Sequence, residues 1–174
     1  MLKEIEDLKL FFEEPSKEFN VREVARLLKI SPATASKHLE AYAKKELLKK
    51  RDERMLNLYK ANVNSENYRD MKIFYNIRKL RHSGLIEELN KFYLKPTIVL
   101  FGSASNGFDT ETSDFDFLII SEKTKEFRTL EKFEKKINKK LQLFVVKSLS
   151  GLKNEHLMNS ILNGIVMQGE LKWT

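Results

Sequence analysis

Apolar residues at Leu2, Ile5, Leu8 and Phe12 recur at helical spacing and predict an amphipathic helix over residues 2–13, ended by Pro15. In the next stretch, "NVREVARLL", Val21, Val24, Ala25 and Leu28 share one face. Asn20 with Glu23 three residues later makes a capping-box pattern. Ser31 is placed to cap a further helix, and Pro32 suits its first position. That helix should run to about Lys45 and bury Ala35, Leu39 and Tyr42. "LLKKR" and "MLNLYKAN" read as two short strands around a polar "DER" turn. Helical spacing returns at Tyr68, Met71, Phe74, Tyr75 and Ile77, and again at Leu85, Ile86, Leu89 and Phe92, with a break at His82-Ser83-Gly84. Thr97–Phe101 and Phe115–Ile120 are apolar runs of strand length. Phe127, Leu130, Phe133 and Ile137 predict a helix between Lys125 and Lys140. "LQLFVV" predicts a third strand, Leu152–Leu162 a helix, and "GIVMQG" a last short strand.

Helix, then two short helices across a tight turn, then a basic hairpin divides the chain near residue 65. Residues 66–95 read as a helical connector packed on the C-terminal part, and residues 96–174 as an α+β domain. No Gly/Ser/Pro-rich linker separates them, and there is no internal repeat.

The 174 residues carry 41% hydrophobic and 33% charged positions, enough for a core and a solvated surface. No apolar stretch approaches the roughly 20 residues of a membrane span. The acidic, amphipathic N-terminus does not resemble a secretory leader, so a cytoplasmic protein without membrane contact is expected. The absence of cysteine excludes disulfides, thiolate metal sites and a cysteine nucleophile. Lys/Glu richness without cysteine also fits a thermophile. The formal net charge is +7. Residues 1–65 and 66–95 each hold a net +3 and residues 96–174 only +1. The basic excess in the first half is compatible with nucleic acid, although charge alone does not distinguish that from a solvated surface.

"VLFGSASNGFDTETSDFDFLII" concentrates the chemistry. Gly102-Ser103 closes one strand, ten residues intervene, and Asp114-Phe115-Asp116 opens another. Side chains alternate along a strand, so Asp114 and Asp116 are expected on one side, where two like charges repel unless a cation sits between them. A hard divalent ion such as Mg²⁺, alone or as one of two, takes carboxylates, waters and phosphate oxygens. Glycine lets a phosphate approach the backbone, and a helix starting after Ser103 would add N–H donors. Backbone-held phosphates bridged by metal to two carboxylates are the means of phosphoryl and nucleotidyl transfer.

Gly-Ser, ten residues and Asp-x-Asp between two strands resembles the signature of the DNA polymerase β-like nucleotidyltransferase superfamily, especially its minimal members. Some of those act as antitoxins that adenylylate a HEPN-type toxin. "SPATASKHLEAYAKKELLKKRDERMLNLYKAN" is similar to the winged helix-turn-helix of many prokaryotic regulators, with Glu46 where such domains often carry Gly. The whole chain resembles archaeal proteins that fuse the two. The resemblance implies an N-terminal winged helix and a C-terminal mixed β-sheet with flanking helices. It implies Gly102 and Ser103 at the nucleotide phosphates, and Asp114 and Asp116 as catalytic, metal-binding residues. It also implies an NTP substrate and Mg²⁺. Two features depart from the pattern. Ala104, Ser105 and Asn106 stand where active members often have Lys or Arg. The third carboxylate expected near Gln142 is missing, with no Asp or Glu from Lys135 to Asn154.

Asp109 and Glu111 are read as solvated loop residues rather than further ligands. His38, His82 and His156 show no ligand spacing, and no base is placed beside Ser103 to make it a nucleophile. Phe74, Tyr75, Phe92 and Tyr93 are expected in the core, and "KKINKK" as the solvent face of a helix. For duplex DNA, Lys37 and Lys44 would meet phosphates and Thr34 a base edge, with Glu40 repelling phosphate and Lys49, Lys50, Arg51 and Arg54 compensating. The expected function is Mg²⁺-dependent transfer of a nucleoside monophosphate to an acceptor, including a protein hydroxyl. The rivals are a regulator with a catalytically weak nucleotide-sensing domain, and an antitoxin-like partner of a separate toxin-like chain. A homodimer stays open.

Overall fold

The computed structural model describes residues 2–53 and 56–172. It comprises two compact units, Met1–Tyr75 and Asn76–Thr174. The division falls inside a single helix, α4 (Glu66–Ser83), where the sequence suggested a separate connector over 66–95. The physical reason is a change of partner along the helix. Tyr68, Met71, Phe74 and Tyr75 join the core of the first unit, whereas Ile77 and Leu80 join that of the second.

The first unit contains α1 (Leu2–Glu13), β1 (Phe19–Asn20), α2 (Val21–Leu28), α3 (Pro32–Lys44), β2 (Leu48–Glu53) and β3 (Leu56–Ala61). The strands form an antiparallel sheet in the order β1-β3-β2. Local chemistry fixes the helix ends. Glu23 N donates to Asn20 Oδ1 at 3.0 Å while Asn20 N donates to Glu23 Oε2 at 2.9 Å, which is the expected reciprocal cap of α2. Ser31 Oγ accepts from Thr34 N at 3.1 Å to start α3, with Pro32 behind it. The end of α3 explains the place of Glu46. Leu47 N donates to Tyr42 O at 2.9 Å and Glu46 N to Ala43 O at 3.0 Å, a Schellman closure that puts Glu46 at φ 59°, where glycine is the residue of least strain. β2 runs on through Asp52 and Glu53, paired with Asn57 and Leu56, so these two residues are ladder rather than turn. Only Leu48 of β2 is buried, and a solvated ribbon accepts charged residues on both faces.

The second unit adds α5 (Leu85–Tyr93), β4 (Thr97–Phe101), a 3-10 turn at Gly102–Ser105 and β5 (Phe115–Ile120). It continues with α6 (Leu130–Ile137), β6 (Leu141–Val146), a second 3-10 turn at Leu149–Gly151, α7 (Glu155–Leu162) and β7 (Ile165–Gln168). The sheet order is β6-β5-β4-β7. β5 is antiparallel to β4 and parallel to β6, and β7 is antiparallel to β4. One face (Ile98, Leu100, Phe115, Phe117, Ile119, Leu141) packs with Leu85 and Leu89 of α5 and Phe133 and Ile137 of α6. The other (Val99, Phe101, Leu118) packs with Leu149 and Ile161. Burial on both faces explains why β4 and β5 read as continuous apolar runs. The predicted helix over Lys125–Lys140 is shorter. Phe127 reaches the core from non-helical chain, edge-on to Phe92 at 5.3 Å, and Asn138 at φ 53° ends α6 in a left-handed cap. α7 starts at Glu155 rather than Leu152 because Asn154 Oδ1 caps Leu157 N at 3.0 Å. No helix among the described residues is long and apolar enough to cross a membrane.

Candidate functional site

The two ends of the Gly-Ser/Asp-x-Asp motif meet through strand register. In the β4–β5 pairing Phe101 lies opposite Asp116, so Gly102 leaves β4 beside the Asp116 carboxylate. Gly102 has φ +74°, and a Cβ placed there would lie 2.8 Å from Asp116 Oδ2. Glycine is therefore required twice, by the left-handed backbone and by the contact. The short helix considered after Ser103 is a single four-residue 3-10 turn, Gly102–Ser105, that begins at the glycine itself. Its carbonyls turn inward. Ser103 O accepts from Phe108 N at 3.0 Å and Gly102 O from Ser105 Oγ at 2.8 Å. What the turn offers a ligand is thus close backbone approach at Gly102, not a helix dipole.

Asp114 lies one residue before β5 and is exposed, whereas Asp116 is inside the strand and half-buried. The pair therefore straddles the strand's first residue rather than sitting wholly within it. Burial, and next the negative charge of Asp114, push the Asp116 carboxyl above its ordinary pKa. Such a carboxylate is poised to gain from a cation. In the parallel β5–β6 pairing Asp116 lies opposite Gln142, so the two side chains share a face. The exposed Gln142 amide occupies the place beside Asp116 where the third carboxylate is expected. No group of three or more acidic or histidine ligands occurs among the described residues.

The loop between the motif's halves differs most from expectation. Asp109 is 2% exposed, not solvated. Its Oδ1 accepts from Asn76 Nδ2 at 2.8 Å, and its Oδ2 lies 3.9 Å from Lys139 Nζ. Lys139, assigned from "KKINKK" to a solvent face, is buried because α6 has already ended at Asn138. Glu111 is exposed as expected. Thr110 N donates to Ser113 Oγ at 2.9 Å, closing a turn just before Asp114. A cavity of about 530 Å³ opens beside Asp114, lined among others by Glu111, Ser113, Glu131, Lys135 and Lys139. Asn76 and Lys139 had no signal in the sequence, since one lies on a helix and the other in a lysine run.

In the first unit Lys37 and Lys44 are exposed on α3, and Thr34 shares a 2.8 Å hydrogen bond with Ser31 in the cap. Lys50 pairs with Glu40 at 2.9 Å, and Tyr59 Oη donates to Glu40 at 2.7 Å. Arg51 holds Glu18 at 2.6 Å and Glu53 at 2.9 Å. Lys50 and Arg51 thus face internal acids, and Glu40 is bound to the first of them. Arg54 lies outside the described residues. His38 Nδ1 stands 2.9 Å from Asp7 Oδ2, the oxygen that accepts from Tyr42 Oη at 2.8 Å.

No curated protein matches the chain. A solved structure described as reduced HlyU from Vibrio cholerae N16961 is similar at 22% identity and a TM-score of 0.33, over 53% of this chain and 83% of that one. Residues 82–155 match the family model described as a nucleotidyltransferase domain. That span contains Gly102, Ser103, Asp114, Asp116 and Gln142, so the similarity to a nucleotidyltransferase domain takes in both halves of the Gly-Ser/Asp-x-Asp motif.

Proposed function

We propose that the protein transfers a nucleoside monophosphate from an NTP to an acceptor hydroxyl in a Mg²⁺-dependent reaction. The observation that carries this reading is the close approach of Gly102, where a Cβ would lie 2.8 Å from Asp116 Oδ2, next to Asp114 and inside the segment that matches the transferase family model. The donor set fits Mg²⁺. Two adjacent carboxylates, one with a raised pKa, leave the remaining positions to water and phosphate oxygens. When bound, the ion would neutralise phosphate charge and polarise the transferred phosphorus. The chain's own part is to hold the triphosphate against the Gly102-Ser103 backbone and to fix the two carboxylates beside it.

Gln142 supports a second reading. An amide cannot take a proton near neutral pH, so no base stands beside Asp116 on β6. Missing general-base help costs roughly 10²–10⁴-fold in rate, which would leave a slow transferase or a nucleotide-sensing domain. Incubation with α-labelled NTPs, Mg²⁺ and candidate acceptor proteins separates the readings. Label on an acceptor supports transfer, and Mg²⁺-dependent binding without label supports the sensor. Gln142→Asp should raise the transfer rate or tighten Mg²⁺, and a folded variant with neither effect counts against a catalytic position there.

The first unit is proposed as a winged helix that binds duplex DNA. Its support is the order of elements, the α2-turn-α3 pair and the exposed Lys37 and Lys44 on α3. Thr34 is the candidate base contact, and Lys50, Arg51 and Arg54 the hairpin contacts. A protein acceptor or toxin-like partner remains the antitoxin form of the same proposal.

A further inference from the structure

Asp109 and Lys139 have side chains 1% and 4% exposed. A carboxylate and an ammonium at that depth are costly unless each meets opposite charge and hydrogen-bond partners. The fold supplies both. Lys139 Nζ lies 3.9 Å from Asp109 Oδ2 and donates to Thr110 O. Asn76 Nδ2 donates to Asp109 Oδ1 at 2.8 Å and to Ala104 O at 3.1 Å. Four segments are tied at one point: α4 at Asn76, the Gly-Ser turn at Ala104, the loop at Asp109–Thr110, and the entry to β6 at Lys139. From there the ties run to the carboxylates. Thr110 closes the turn with Ser113 that precedes Asp114, and Phe115 N donates to Lys140 O at 2.9 Å, fixing the start of β5 beside Lys139.

A buried pair serving stability alone could sit anywhere in the core. This one holds the start and the middle of the ten-residue loop that separates Gly102-Ser103 from Asp114. We infer that Asn76, Asp109 and Lys139 are positioning residues. They hold the Gly-Ser turn and Asp114 in register with Asp116, so that backbone and carboxylates address one metal-bound nucleotide. This rests on the nucleotidyltransferase reading above. It also means that Asp109 is engaged in a clamp and is not the missing base.

The test uses the full chain with Lys139→Met, Asp109→Asn and both together, read by ATP calorimetry in Mg²⁺ or EDTA and by amide hydrogen exchange. Lys139→Met removes a cation facing a buried carboxylate and should lower thermal stability. The double variant, with neither charge buried, should recover much of that loss. Its Mg²⁺-ATP affinity should stay roughly 10–100-fold below the parent's, the usual range for groups that orient metal ligands. Exchange should quicken over residues 103–114 and not in β4. A folded double variant with parental Mg²⁺-ATP affinity overturns the inference. If the parent shows no Mg²⁺-dependent ATP binding, the transferase reading fails by itself, and exchange decides the clamp: faster exchange over 103–114 upholds it, and unchanged exchange overturns it.

Discussion

At Gly102 a single methyl group is enough to disturb the site. Left-handed backbone costs a non-glycine residue about 1–2 kcal/mol, and the added Cβ would press on Asp116 Oδ2 at 2.8 Å. Gly102→Ala should therefore lower unfolding stability in urea by at least that amount and displace Asp116, and an unchanged midpoint would refute the contact. Asp116 carries a second consequence. Its folded pKa is raised, so the native state holds the proton more tightly than the unfolded chain. Stability from this group is greatest at low pH and falls as pH rises from the ordinary carboxylate range through the raised value. At neutral pH without metal the ionised side chain opposes folding. Asp116→Asn should raise the melting temperature under those conditions and flatten that part of the pH profile. Mg²⁺ should raise the melting temperature of the parent and leave the variant unmoved, whereas an equal rise in both would place the ion elsewhere. The sequence made these residues legible because Gly-Ser and Asp-x-Asp stand ten residues apart between two apolar runs of strand length. It hid Asp109 and Lys139, because burial of a charge depends on partners 30 residues away.

Elements are legible where their signals are local. The Asn20–Glu23 box, the Ser31-Pro32 start and the Gly84 break all lie within a few residues of the ends they set. Asn20→Ala should cost about 1 kcal/mol in thermal or denaturant unfolding, and a loss too small to resolve would show that tertiary packing alone holds α2. Elements depart from the sequence pattern where tertiary packing or cap geometry decides. Phe127 mimics helical spacing yet packs from a loop, and the ladder claims Asp52 and Glu53 against their turn-like polarity. Sequence alone also overstates the hairpin's available charge, since Glu18 and Glu40 hold Arg51 and Lys50. If this unit binds duplex DNA, Glu18→Gln with Glu40→Gln should take one acidic partner from each cation, leaving Glu53 to Arg51 and Asp52 to Lys50, and tighten binding at low salt. It should also steepen the salt dependence, by about 0.9 in logarithmic slope for each additional phosphate neutralised. Filter binding or anisotropy across a salt series would read this, and an unchanged affinity and slope would remove the hairpin from the proposed interface.

For the whole molecule, register rather than proximity in sequence brings the motif's residues together. β4 brings Gly102 to Asp116, β6 brings Gln142 beside it, and Asp114 enters from the loop. The mixed α+β character of the C-terminal part and the pairing of Gly-Ser with Asp-x-Asp could be read from the sequence, because strands buried on both faces and their turn residues leave a continuous trace. The division of the chain inside α4 could not, because one unbroken helical pattern serves two cores. The proposed metal–nucleotide site is open to calorimetric titration of ATP into the full chain, with Mg²⁺ or with EDTA, in the parent and in Asp114→Asn/Asp116→Asn. The parent should bind ATP much more tightly with Mg²⁺ than with EDTA, and the double variant should show no difference between the two. Equal affinity of the parent in Mg²⁺ and in EDTA would contradict it.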